Sequence, residues 1–77
     1  MDLRRIFAAN VTRLRAEKGL SQEDLAYEVG MNRAHLSEIE TAKAYVGLEI
    51  LGKIADALGV EGADLLKKPT KASAKTK

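Results

Sequence analysis

The stretch QEDLAYEVGMNRAHLSEIE, Gln22 to Glu40, decides the fold. Leu25, Ala26 and Val29 recur at the three- and four-residue spacing of one helix face, and Leu36 with Ile39 repeats that spacing on a second segment. Gly30 lies between them, the residue type freest to adopt a positive φ, and Asn32 after it is a good N-cap. Ser21, with Asp24 three residues on, starts the first segment with a variant of the capping box, which normally carries Glu or Gln at that place. Two short helices therefore meet at a tight turn. The first ends at Gly30, and the second runs from about Asn32 to Glu40 or Thr41. Ala26 is small where the helices cross, so their backbones can approach, and Met31 fills the space beneath the turn.

Working outward, the rest of the chain also has the helical period. Leu3, Ile6, Phe7, Val11 and Leu14 predict a helix over residues 3–18, with Asp2 as N-cap and Gly19 as its stop. Ala42 to Gly47 shows no strong period and reads as a loop. Leu48, Leu51, Ile54, Ala55 and Leu58 mark a fourth helix closed by Gly59. A last helical turn, about Gly62 to Lys68, stops near Pro69, whose predecessor is pushed out of helical geometry. No segment alternates apolar and polar with the period of a strand, and there is no internal repeat. The expectation is an all-α domain over residues 1–68, a compact bundle of five helices.

Length and composition narrow the function classes. The 77 residues suffice for one small domain, and hydrophobic and charged fractions of 45% and 31% are ordinary for a soluble protein. A domain of this size buries only about 60% of its unfolded surface, so its stability is modest. The net charge of +2 conceals a division. Lys67 to Lys77 contains five lysines and no acid, whereas residues 1–66 hold eight basic and eleven acidic side chains, a net of −3. Residues 69–77 lack large apolar side chains and are expected to be a disordered basic tail, either merely solvated or an arm drawn to nucleic acid phosphates.

Cysteine is absent and His35 is the single histidine, which argues against disulfides, thiolate ligands and an imidazole metal cluster. No apolar run approaches the ~20 residues of a membrane span, and Asp2-Leu3-Arg4-Arg5 leads into no signal-peptide core. A cytoplasmic setting suits this composition. Gly59-Val60-Glu61-Gly62 lacks the lysine and hydroxyl residue of a phosphate-binding loop. The carboxylates are scattered over helix surfaces, so the expectation is a protein without catalytic groups, cofactor, metal or small-molecule ligand.

Two helices meeting at such a turn, the second standing clear of the body, form a helix-turn-helix, in which the second helix enters a groove of DNA. Here the chain resembles the Cro-like (xenobiotic-response-element type) helix-turn-helix repressors, whose fold is lambda-repressor-like with the motif at helices 2–3. Asn10-Val11 and Leu14-Arg15 match in the first helix, then Gly19-Leu20-Ser21-Gln22, and Leu25-Ala26 with Gly30. Arg33, Leu36-Ser37 and Ile39-Glu40 match in the third helix, followed by Leu48-Glu49 and Ala57-Leu58-Gly59-Val60. The likeness covers roughly residues 6–66. Asn32-Arg33 followed by Leu36-Ser37 is also similar to the small controller proteins of restriction–modification systems. The family usually has Gly where Ala42 stands, Asn-Pro where Tyr45-Val46 stand and Leu where Gly62 stands. Ala42 makes a left-handed helix end costlier, so the third helix is expected to end differently.

The resemblance implies a regulator of transcription, a repressor, that reads double-stranded DNA. One recognition helix touches few base pairs, so a homodimer is expected, with half-sites ~34 Å apart. Leu3 and Ile6 of the first helix, and Leu65 and Leu66 of the fifth, are surplus apolar residues for that contact. An alternative is a protein-interaction module, such as an antitoxin-like partner, using the same scaffold.

On a helical wheel with Leu36 and Ile39 inward, Ala34, Ser37, Glu38 and Thr41 point away from the body, while Arg33 and His35 lie on the flanks. Arg33 can donate a planar fork to guanine O6 and N7, or serve as a phosphate contact or solvated charge. Ala34 can sit against a thymine methyl, Ser37 can bond a phosphate or base edge, and Glu38 can accept from cytosine N4 or discourage wrong sequences. His35 could touch the backbone but reads better as a partly packed flank residue. Asn32 and Thr41 bound this surface, and Lys43 and Tyr45 in the following loop are candidates for phosphate contacts. The resemblance further implies that Gln22 bonds a phosphate and braces the recognition helix, helped by the positive end of its helix dipole. It also implies that Arg15 and Glu40 form a partly buried ion pair tying the first helix to the end of the third.

Overall fold

The structure, a computed structural model, describes residues 2–68, so the segment expected to be a basic tail, residues 69–77, lies outside it. The described residues form α1 (Leu3–Glu17), α2 (Gln22–Val29), α3 (Arg33–Glu40) and α4 (Leu48–Leu58), followed by a 3-10 segment, Gly62–Leu66. The expected bundle of five helices is corrected to four α-helices and this tighter turn. The segment has room for only five residues, the length at which 3-10 geometry is used, because Lys67 already leaves it in extended geometry (φ −83°, ψ 135°) ahead of Pro69. The buried Asn10 amide of α1 fastens this end to the body, donating to the carbonyls of Leu65 (2.8 Å) and Lys67 (2.9 Å). Glu61 N–H donates to Asp64 Oδ2 at 3.0 Å, and this bond, with Lys67 nearby, holds the Asp64 carboxyl below its usual range.

The helix ends follow local chemistry. Asp2 accepts from Arg4 N–H at the start of α1, and Ser21 and Asp24 close a reciprocal capping box at the start of α2. Gly30 ends α2 at φ +80°, where a side chain would strain the backbone. Ala42 corrects an expectation, because it adopts φ +61° despite its Cβ. Ala42 N–H bonds Ile39 O (3.0 Å) and Lys43 N–H bonds Glu38 O (2.8 Å), so α3 ends in the Schellman pattern that a glycine would have made.

The core gathers Phe7 and Val11 from α1, Leu25 and Val29 from α2, Leu36 and Ile39 from α3, and Ile54 and Leu58 from α4. α1 packs on α3 and the 3-10 segment, and α2 packs on α3 and α4. Leu65 is fully buried and is no surplus residue; Leu66 and Leu3 are the exposed ones. Leu48, the first of the apolar residues that mark α4, is 83% exposed at the helix start, although Ile50 and Leu51 of the same turn pack against the core.

Candidate nucleic-acid interface

α3 has eight residues and is therefore about 12 Å long, the width of a DNA major groove. Leu36 and Ile39 are buried at its inner face and fix its rotation about its own axis. That leaves Asn32, Arg33, Ala34, His35, Glu38 and Thr41 exposed, with Ser37 half-buried. His35 departs from the packed flank position expected for it, since no neighbouring element covers that side of α3. Asn32 serves as the helix cap: its Oδ1 accepts from the backbone N–H of Ala34 (2.7 Å) and of His35 (3.3 Å). Thr41 Oγ1 donates back to the carbonyls of Ser37 and Glu38 at the far end. Both ends of the helix are thus closed by its own side chains.

A polar chain holds α3 against the body. Arg15 Nε donates to Glu40 Oε2 at 2.7 Å, its second fork nitrogen donates to Glu40 Oε1 at 3.0 Å, and its third donates to Leu20 O at 2.8 Å. The Glu40 side chain is 4% exposed. Hydrogen bonding to Glu40 holds the Arg15 guanidinium above its usual range, against the opposing effect of burial. Gln22 Nε2 donates to the same Glu40 Oε1 at 3.0 Å, and Gln22 Oε1 accepts from Arg33 at 3.3 Å. One continuous path therefore runs from α1 through the end of α3 and the start of α2 to Arg33. With both ends of its amide engaged, Gln22 has a fixed orientation and limits where the Arg33 fork can point.

Lys43 and Tyr45 are exposed in the loop after α3. Sequence reasoning did not single out Arg4, whose guanidinium lies 4.5 Å from the centre of the Tyr45 ring. The two residues are far apart in the chain, and no local pattern signals such a contact. Beside this pair, an open polar cleft is lined by Arg4, Arg5, Thr41 and Ala42, among others. On its other side, Leu3, Phe7, Val46, Leu48, Leu51 and Leu66 line an apolar groove, and Arg4 with Tyr45 forms the rim between groove and cleft. Among the described residues there is no cluster of metal-ligating side chains, and no helix is long and apolar enough to cross a membrane.

Comparison with known proteins agrees with this geometry. Residues 11–65 match the family described as helix-turn-helix. A hypothetical transcription factor of Neisseria meningitidis is 40% identical over 88% of this chain, which spans 64% of that relative's length. A crystal structure of a hypothetical transcription factor from Neisseria superposes with a TM-score of 0.88 at 37% identity, covering 95% of this chain and 84% of that one. Control protein C.BamHI of Bacillus amyloliquefaciens is 39% identical over 84% of this chain and 82% of its own. The restriction–modification controller protein C.Esp1396I, solved as a tetramer with its natural 35 base-pair operator, superposes with a TM-score of 0.76 at 29% identity, over 84% of this chain and 86% of that one. With the motif in place, most of its length matched and relatives at this identity, the chain belongs to the helix-turn-helix family.

Proposed function

We propose that this protein is a sequence-specific DNA-binding regulator of transcription, a repressor, that inserts α3 into the major groove of an inverted-repeat operator as a homodimer. The observation that carries this reading is the bare face of α3, with Arg33, Ala34 and Glu38 exposed on a helix whose rotation and ends are fixed and whose lead arginine is hydrogen-bonded to Gln22. A pre-set reader loses little side-chain entropy on binding, which favours discrimination between sequences. Arg33 is assigned to a guanine edge, Ala34 to a thymine methyl, and Ser37 and Glu38 to neighbouring base edges. Asn32, His35 and Thr41 flank that face. Gln22, Lys43 and Tyr45 are assigned to the backbone on either side of the groove, and the Arg15–Glu40 pair to holding the helix in place. The operator-bound structure of C.Esp1396I supports this use of the fold.

The two-fold contact is assigned to the part of the apolar groove away from Arg4 and Tyr45, where Leu3, Leu48 and Leu66 are exposed with nothing of the described chain over them. A regulator of this kind works where its DNA is, in the cytoplasm, and family membership supports binding rather than catalysis. The test is selection from a random pool of duplexes at two salt concentrations. Enrichment of an inverted repeat, with affinity falling steeply as salt rises, is the expected result. Recovery of no preferred sequence, together with co-purification of another protein, would replace it with the partner-holding reading. In a selected operator, Arg33→Ala should cost about 1–3 kcal/mol per half-site and relax preference at one base pair in each.

A further inference from the structure

We propose, on the footing of the DNA-binding reading above, that Arg4 and Arg5 at the start of α1 bind the phosphodiester backbone of DNA beside the end of α3. Residues 1–66 carry more acid than base, so attraction to a polyanion has to come from where the free cations sit. Among the described residues, Arg13, Arg15 and Lys67 are matched by carboxylates at 2.7–3.4 Å. Arg5 and Lys53 have only loose approaches, to Asp2 at 3.7 Å and to Glu49 at 3.8 Å, with side chains 80% and 52% exposed. Arg4, Lys18, Arg33, Lys43 and Lys68 have no ion-pair partner among those residues. Three of these five border the recognition helix: Arg33 opens it, Lys43 follows its end, and Arg4 faces that end across the polar cleft.

The cleft itself suits a phosphate. It is open, about 480 Å³, and its other lining residues include the small Ala8, Ala9 and Ala42, so a bulky anion can approach the arginines. Of its two carboxylates, Glu40 is already neutralised by Arg15, and Asp2 spends one oxygen capping α1. The Tyr45 ring beneath Arg4 adds the second element. The ring, 4.5 Å from the guanidinium carbon, attracts the cation without accepting a conventional hydrogen bond, so the Arg4 N–H donors remain free for a phosphate. A helix in the major groove has one backbone on each side. Gln22 addresses the α2 side, and Arg4, Arg5 and Lys43 form the matching set on the loop side.

The experiment titrates the full chain, as Arg4→Gln, Arg5→Gln and the double variant, against the selected operator and an unrelated duplex over a range of salt. Because the dimer carries each substitution twice, each single variant should make the slope of log K against log salt shallower by about 1.8 and the double variant by about 3.6, at unchanged base preference. Arg4→Lys should restore the slope, and Arg13→Gln, paired with Glu17 outside the cleft, should leave it as in the parent. Thermal melts establish that each variant is folded. Unchanged slopes in folded variants of a parent that binds DNA would overturn the proposal, as would altered base preference at constant slope. A parent that binds no duplex would instead overturn the DNA-binding reading, and this proposal with it.

Discussion

Replacing Arg15 with alanine removes three hydrogen bonds at once and strands a carboxylate. In the native structure the Arg15 and Glu40 side chains are 17% and 4% exposed, and Arg15 donates to both Glu40 oxygens as well as to Leu20 O. After substitution Glu40 keeps only Gln22 as a partner, in a place water hardly reaches. Leaving one member of such a pair uncompensated costs about 3–5 kcal/mol. In a domain of this size that lowers the melting temperature on the order of 10–40 °C, and it consumes much of the ~5–15 kcal/mol that folded domains possess. Arg13 supplies the contrast, since its pair with Glu17 spans 3.4 Å with side chains 49% and 59% exposed. Arg13 also donates to Asn10 Oδ1 at 3.2 Å, so Arg13→Ala should cost about 1–2 kcal/mol, still below the Arg15 loss. Thermal and urea unfolding followed by far-UV circular dichroism compares the two. The double variant Arg15→Met with Glu40→Leu should recover most of the loss, because it removes the stranded charge along with its partner. Equal midpoints for Arg15→Ala and Arg13→Ala would refute the reasoning.

Asn10→Ala should lower stability by about 2–3 kcal/mol, because two carbonyls at the end of the 3-10 segment lose their donor; a urea midpoint matching the parent would contradict it. Ala42→Gly should raise stability by about 1 kcal/mol by relieving the left-handed φ of +61°, partly offset by greater freedom of the unfolded chain. A lower melting temperature would count against that account of the helix end. Leu48→Glu should leave the melting temperature of the monomer nearly unchanged, since the side chain is 83% exposed, but should abolish concentration-dependent dimerisation in sedimentation equilibrium. A variant that still dimerises like the parent would place the two-fold contact elsewhere.

Local chemistry made much of this protein legible in its sequence. Ser21 with Asp24, Gly30, Asn32 and Gly59 set where helices start and stop, because capping and positive φ are decided within a few residues. The 3.6-residue period of Leu36 and Ile39 set which side of α3 turns outward, and with it the candidate reading face. The same period could not say whether anything lies opposite a given face. Leu48 and Leu65 both continue apolar stripes, yet only Leu65 meets a neighbouring element, and His35 is bare because none crosses its flank. The carbonyls of Leu65 and Lys67, at the end of the 3-10 segment, find their donor in Asn10, far away in the chain, which no local pattern announces. Gln22 touching Glu40 and Arg33, and Arg4 lying over Tyr45, exist only once α1, α2 and α3 have packed. Sequence by itself determined the helices, their ends and their inner faces, since those depend on neighbours along the chain. Tertiary structure decided which outer faces remain open and which cations stay without an anion, since those depend on neighbours in space.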